Sequence, residues 1–244
     1  MKKVITQTLT NLHLFCLENR VAQAQPDRML RALAFCLCLP APALACETAL
    51  LLSIDISGSI DEGEYAMQIE GLALALQDAA IAETLVAGQM ALAVVHWSGV
   101  GRQALVLPWT RMLAPADVAG FAARIAGQPR AFSASDTAVG EAIDFSAAQF
   151  AAVPDCQRQV IDMSGDGPEN SGFTDAIARS RAEKSGIEIN AIAIEDMGQT
   201  DPVTRYYQRW VITRDGFVIT ARGLQDYPRA MREKIVREIS KVIG

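Results

Sequence analysis

Asp55, Ser57 and Ser59 stand at alternate positions directly after the apolar run 50–54. A strand ending there delivers one carboxylate and two hydroxyls to the same small space, since alternate residues of an extended chain share a side. Hard oxygen donors of this kind suit Mg2+ or Mn2+, which prefer octahedral oxygen coordination with some positions left to water or an incoming ligand. Two further polar loops carry related chemistry. Residues 135–140 present Thr137 at a helix start, and residues 164–170, Ser-Gly-Asp-Gly-Pro-Glu-Asn, present Asp166 directly after a strand. Each of these residues also has a structural reading. Ser59 with Glu62 three positions on has the pattern of a capping box, Asp136 or Thr137 can cap the next helix, and Asp166 between two glycines fits a turn. A cap and a ligand are compatible roles, and three such coincidences in order favour one open metal site. Asp61, Asp162, Glu169 and Asn170 lie near these loops and carry less weight. Asp162, flanked by apolar residues, is either a buried partner of the first loop or an additional functional carboxylate.

The elements that must position these loops are legible as alternating patterns. Apolar runs at 49–54, 90–97, 104–109, 160–163, 187–194 and 217–220 read as strands, the first and fifth apolar enough to be buried on both faces. Amphipathic segments at 61–79, 115–126, 138–151, 174–185 and 225–243 read as helices, the last with Met231, Ile235, Ile239 and Val242 on one face. This alternation predicts a three-layer α/β fold: a mostly parallel central sheet, one antiparallel hairpin that places an antiparallel strand at its edge, and helices on both faces. The polar loops then fall at the carboxyl edge of the sheet, where open α/β folds place ligands.

Asp55-x-Ser57-x-Ser59, Thr137 and Asp166, in strand-to-helix context and in this order, resemble the metal-ion-dependent adhesion site (MIDAS) of the von Willebrand factor A (vWA) family. The resemblance extends over nearly all of residues 48–244. Within that family, the stretches 160–170, 96–99 and 108–110 are most similar to a group of secreted bacterial proteins of unassigned function. The resemblance implies a Rossmann-like vWA fold and a division of labour at the metal. Ser57 and Ser59 bind the cation directly, Asp55 and Asp166 act mostly through bridging water, and Thr137 joins when a ligand is present. A cation left electron-poor in this way accepts an Asp or Glu carboxylate from a partner protein.

The chain of 244 residues, 50% apolar and 20% charged, is sized for one α/β domain. Residues 1–45 hold five of the 22 Lys and Arg and two of the 28 Asp and Glu, so the remainder is more acidic than the overall charge of −6. That argues against nucleic acid or an anionic membrane as partner. Residues 1–45 read as an N-terminal extension and signal peptide. A basic start lies at 29–31, an apolar stretch at 32–39 and a small-x-small cleavage pattern at 43–45, before a domain at 46–244. The apolar stretch is far shorter than the ~20 residues a membrane span needs, no later segment is a candidate span, and Met29 is an alternative translation start. The expected location is periplasmic or secreted; Ala43, where lipid attachment favours Leu, makes a lipoprotein the weaker reading. Of five cysteines only Cys46 and Cys156 lie beyond the leader, and an even pair in an exported protein points to a disulfide.

An enzyme needs a nucleophile or an acid/base pair, and the supply is thin. His96 is the single histidine beyond the leader, and neither a Gly-x-Ser-x-Gly elbow nor a phosphate-cradling glycine loop occurs. A Mg2+-dependent phosphoester hydrolase would start with Asp after the first strand, but the second acid such enzymes want two positions on is here Ser57. The expectation is therefore a non-enzymatic binding protein, with that hydrolase, or a scaffold whose metal is only structural, as alternatives. Trp97 and Trp109 read as core or hairpin-edge residues.

Overall fold

The computed structural model describes residues 46–133, 135–195 and 202–240. The signal-like segment 1–45, Val242 and the end of the last expected helix lie outside the described residues. Six strands form one sheet: β1 (Thr48–Asp55), β2 (Ala91–Trp97), β3 (Gln103–Arg111), β4 (Arg158–Gly165), β5 (Ile187–Glu195) and β6 (Val218–Arg222), in the order β3-β2-β1-β4-β5-β6. All neighbours run parallel except β2 and β3, which leaves one antiparallel strand at the edge as the sequence predicts.

β1 lies at the centre with every residue buried. Its alternate residues serve two cores. Leu50, Leu52 and Ile54 pack under α1 (Glu62–Leu76), α2 (Ala79–Ala87), α3 (Pro115–Ala126) and α7 (Tyr227–Ser240). Ala49 and Leu51 pack on the opposite side with α4 (Val139–Gln149), α5 (Asp175–Lys184) and the short α6 (Val203–Tyr206) with its π-type continuation Tyr207–Val211. A sheet covered on both sides explains why β1 and β5 are nearly continuous in apolar residues rather than alternating.

The helix expected over 61–79 is two helices. α1 stops at Leu76, and Asp78 opens α2 by accepting hydrogen bonds from the Ala80 and Ile81 N–H groups. An Asp that satisfies the orphan amides of a new helix overrides a periodicity that by itself reads straight through. α6 and the π-type turn have no counterpart in the expected pattern.

Cys46 and Cys156 form a disulfide that joins the entrance of β1 to the residues before β4 across 110 positions. The junction is reinforced by the Gln157 N–H donating to Cys46 O and the Arg158 N–H to Glu47 O. In the chain-entropy model a closed loop of this length contributes about 4–5 kcal/mol.

Asp162 takes neither of its expected roles. It points from β4 beneath α7, where Lys234, 0% exposed, forms ion pairs with both Asp162 and Glu238. Asn190 on β5 extends the network by donating to Glu238 and Glu188, and Arg158 pairs with Glu188. Burial raises the Asp162 carboxyl, the Lys234 ammonium opposes that shift and Glu238 adds to it. One buried cation thus holds two buried carboxylates. Replacing Lys234 by Met removes the cation that faces both, so Lys234→Met is expected to lose about 3–5 kcal/mol in chemical denaturation at pH 8. A loss below about 1 kcal/mol would mean that the network does not anchor α7.

Candidate metal centre

Parallel pairing sets the site. Ile54 of β1 faces Ser164 of β4 and Asp55 faces Trp97 of β2, so the carboxyl ends of the central strands come level. Asp55 ends β1 fully buried, and its Oδ1 accepts the Ser57 N–H at 2.7 Å, which turns the chain sharply after the strand. The Ser59 hydroxyl donates to Asp166 Oδ1 at 2.8 Å. The Ser57 and Ser59 hydroxyls lie 3.2 Å apart, within hydrogen-bond distance of each other. A hydrogen-bonded chain runs from Ser57 through Ser59 to Asp166 on the third loop.

Thr137 is brought to the same edge by its backbone. Its N–H donates to the Asn170 side-chain carbonyl at 2.8 Å, and its C=O accepts the N–H groups of Asn170 and Ser171. The Gly58 N–H donates to Ser135 O at 2.8 Å, which ties the first loop to the second. Glu169 completes the clamp, taking the Gly140 N–H on one oxygen and the Thr174 and Asp175 N–H groups on the other. Asp55, Ser57, Ser59, Thr137 and Asp166 thus come from three loops cross-linked at one edge. Glu169 and Asn170, given little weight from sequence, are the residues that hold those loops in place.

The capping readings do not hold. α1 is capped by Asp61, which forms a reciprocal box with Glu64, so Ser59 lies two residues outside the helix and turns to Asp166. Ala138 occupies the cap of α4 with no side-chain bond, so Thr137 does not serve there. Both hydroxyls are released from the helix-terminal tasks their spacing suggested.

Burial raises the Asp55 carboxyl to about 8; the negative charge of Asp166 adds to the shift, while hydrogen bonds from Ser57 and the Arg130 charge work against it. Arg130 is held at the back of the loop by donating to Ile56 O and Ser57 O. Asp55 Oδ2 is buried with no hydrogen-bond partner, and so is the Tyr207 hydroxyl. Both border Gly165: a Cβ there would stand 2.3 Å from the Tyr207 oxygen and 3.0 Å from Asp55 Oδ2, so only glycine fits. Sequence reasoning missed Tyr207, and the Gly after Ser164 was the one local signal of a close approach.

Among the described residues no group of three or more His, Cys, Asp or Glu side chains is gathered as a metal cluster. The five side chains gathered at this edge are two carboxylates and three hydroxyls, all hard oxygen. His96 lies apart from them, buried on β2, its ring edge-on to Tyr65 and its pKa lowered to about 4 by burial and by Arg130. Trp97 is buried core, and Trp109 packs on Phe150 with its N–H donating to Gln149 O.

A family model described as "Protein of unknown function (DUF1194)" matches residues 45–243. No curated protein matches the chain. Among solved structures, proximal thread matrix protein 1 from the mussel byssus is similar with a TM-score of 0.61 and 16% identity over 80% of this chain and 49% of that one. A further structure of that mussel protein has a zinc-occupied MIDAS motif. A von Willebrand factor type A protein from Catenulispora acidiphila aligns with a TM-score of 0.55 and 20% identity over 82% and 43%. The von Willebrand factor domain of the type V pili tip protein Mfa5 from Porphyromonas gingivalis aligns with a TM-score of 0.55 and 10% identity over 81% and 97%. The chain therefore spans less than half the length of the first two. At these identities the likeness establishes the fold, which is that of a vWA domain.

With Asp55 at about 8 in the native protein against 3.8 for an ordinary Asp, the unfolded chain releases this proton first as pH rises. Stability in EDTA should fall between pH 4 and 8 on account of this residue, and Asp55→Asn should remove that component. Denaturation at pH 5 and 8 should show the variant gaining on the wild type by more than about 1.4 kcal/mol, the equivalent of one pKa unit. An unchanged gap would contradict the buried, unpaired state of Asp55.

Proposed function

The chain belongs to the DUF1194 family, and from that premise we propose that it is an exported, non-catalytic vWA domain that recognises a partner protein through a divalent cation. Asp55, Ser57, Ser59, Thr137 and Asp166 would hold the cation, Mg2+ or Mn2+, and the bound metal supplies a Lewis-acidic position for a carboxylate oxygen of a partner's Asp or Glu. The observation that carries this reading is the 2.8 Å bond from Ser59 to Asp166, which joins the loops after β1 and β4 at the end of the strand where Asp55 Oδ2 is buried with no hydrogen-bond partner. Buried carboxylate oxygens are nearly always satisfied, and a cation is the natural partner for one placed among other oxygens.

The chain's own groups prepare that position. The Ser57 N–H fixes one Asp55 oxygen and leaves the other turned away. The hydroxyl chain from Ser57 through Ser59 ties the first loop to Asp166, and the Asn170 and Glu169 clamps hold the Thr137 loop beside it. Hard oxygen donors favour Mg2+ or Mn2+ over softer metals, and the zinc-occupied motif of the mussel relative supports divalent cation use in this fold. The pilus tip domain among the similar structures supports protein binding outside the cytoplasm. Export is further supported by the Cys46–Cys156 disulfide; among the described residues no helix is long and apolar enough to cross a membrane.

The test is thermal unfolding with and without Mg2+ or Mn2+, on the wild type and on Asp55→Ala. A cation that binds only the native protein, at about 100 times its dissociation constant, adds about 2.7 kcal/mol. The wild type should be stabilised and the variant should not; failure of both to respond would contradict the metal reading.

A further inference from the structure

Beside the third loop lies a cleft of about 320 Å³, walled by Pro168 on one side and by Arg205, Tyr206, Arg209 and Trp210 on the other. Pro168 is two residues past Asp166, so one wall of the cleft belongs to the loop that carries Asp166. The far wall belongs to α6 and its π-type continuation. Val203, Tyr207 and Val211 of that segment turn into the core, and Tyr207 reaches Gly165 behind Asp55. Arg205 and Arg209, four residues apart, are exposed on the other face. One short element thus backs the site with its buried side and lines the cleft with its outer side.

The wall is built rather than incidental. The Tyr206 hydroxyl donates to Asp175 at 2.7 Å, and Arg179 donates to the Arg209 carbonyl at 2.6 Å, which fixes the turn. Arg209 stacks over Trp210 at 4.8 Å, and Trp210 is 37% exposed although it is a large apolar ring. Six other arginines, at 111, 158, 181, 214, 229 and 232, carry ion pairs; among the described residues Arg205 and Arg209 carry none. Among the described residues, acids around this segment are engaged: Glu169 accepts three backbone N–H groups, Asp175 accepts Tyr206 and the Ala176 N–H, and Glu195 accepts the Thr204 N–H. The cleft therefore presents two guanidiniums and an aromatic plane on a chain whose net charge is −6.

We propose that this cleft is the second contact for the partner recognised at the metal, and that the partner presents an acidic segment with at least two neighbouring Asp or Glu residues. The inference rests on the metal reading above. One carboxylate completes the site at Ser57, Ser59 and Thr137, and another is taken by Arg205 and Arg209, with Trp210 covering the stem between them. A negatively charged protein repels an acidic ligand at long range; two guanidiniums in a cleft beside the third loop reverse that locally and discriminate an acidic segment from a single carboxylate.

Fluorescein-labelled tetra-glutamate and a triglycyl-glutamate control, both amidated at the C-terminus, are titrated by anisotropy in Mg2+ and in EDTA, against the wild type, Ser57→Ala and the double variant Arg205→Gln/Arg209→Gln. In Mg2+ the wild type should bind tetra-glutamate about tenfold more tightly than the control, as expected for added charge-assisted hydrogen bonds. The double variant should lose that tenfold while keeping the wild-type melting temperature and its Mg2+-induced shift, and Ser57→Ala or EDTA should lose binding of both peptides. An intact Mg2+ shift with undiminished tetra-glutamate affinity in the double variant overturns the cleft and leaves the metal reading standing. Binding that needs the arginines but persists in EDTA overturns their coupling to the metal. No Mg2+ shift in the wild type removes the metal reading and this inference together.

Discussion

A carboxylate buried at the end of a wholly apolar central strand is the constraint on which the rest of this structure depends. Asp55 cannot move away, because β1 is held on both sides by parallel neighbours and is buried along its length. Nor is it fully compensated from within: Ser57 satisfies one oxygen, Arg130 stands behind the loop and gives its hydrogen bonds to backbone carbonyls, and Asp166 brings a second negative charge near. Desolvation without pairing is costly, and the fold tolerates it through contacts remote from the site. A destabilised site held by a stable scaffold is what a ligand-binding centre needs if binding is to supply the missing interaction.

Those remote contacts lie at the opposite end and under one face of the sheet. The disulfide closes the entrance of β1 against the chain leading to β4, so the two strands that carry Asp55 and Asp166 are joined covalently at one end and by hydroxyls at the other. Lys234 fastens α7 to Asp162 in the same strand β4, three residues before Gly165. The register that pairs Ile54 with Ser164 is thus fixed from below, and the loops above need only short hydrogen bonds, such as that from Ser59 to Asp166, to complete the cluster.

Most of the architecture was legible because β1 and β5 carry unbroken apolar runs while the helices between them keep a 3.6-residue period. The five oxygen-bearing residues were picked out by their resemblance to the MIDAS pattern, and the fold brings their three loops to one edge. What escaped was decided by competition between nearby groups. Ser59 and Glu62 have the spacing of a capping box, but Asp61 with Glu64 has it too and lies where the helix begins, and the winner frees Ser59 for Asp166. Asp78 ends one helix pattern and starts another within a segment whose apolar spacing runs on. Asp162 gave no sign of its partner, since Lys234 is 72 residues away in a helix whose apolar face alone was evident. Tyr207 sits in a π-type turn, whose extra residue per turn defeats a periodicity search and which often marks a functional site.

The central claim is that these five residues form a cation site with Asp55 at its base. Anomalous scattering from crystals soaked in Mn2+ tests it most directly, because it locates the ion without relying on stability or on a partner. The account predicts one manganese peak between the loops after β1 and β4, about 2 Å from the Ser57 and Ser59 hydroxyl oxygens. A saturating soak that leaves those loops without a peak, or places the ion away from all five residues, would contradict it.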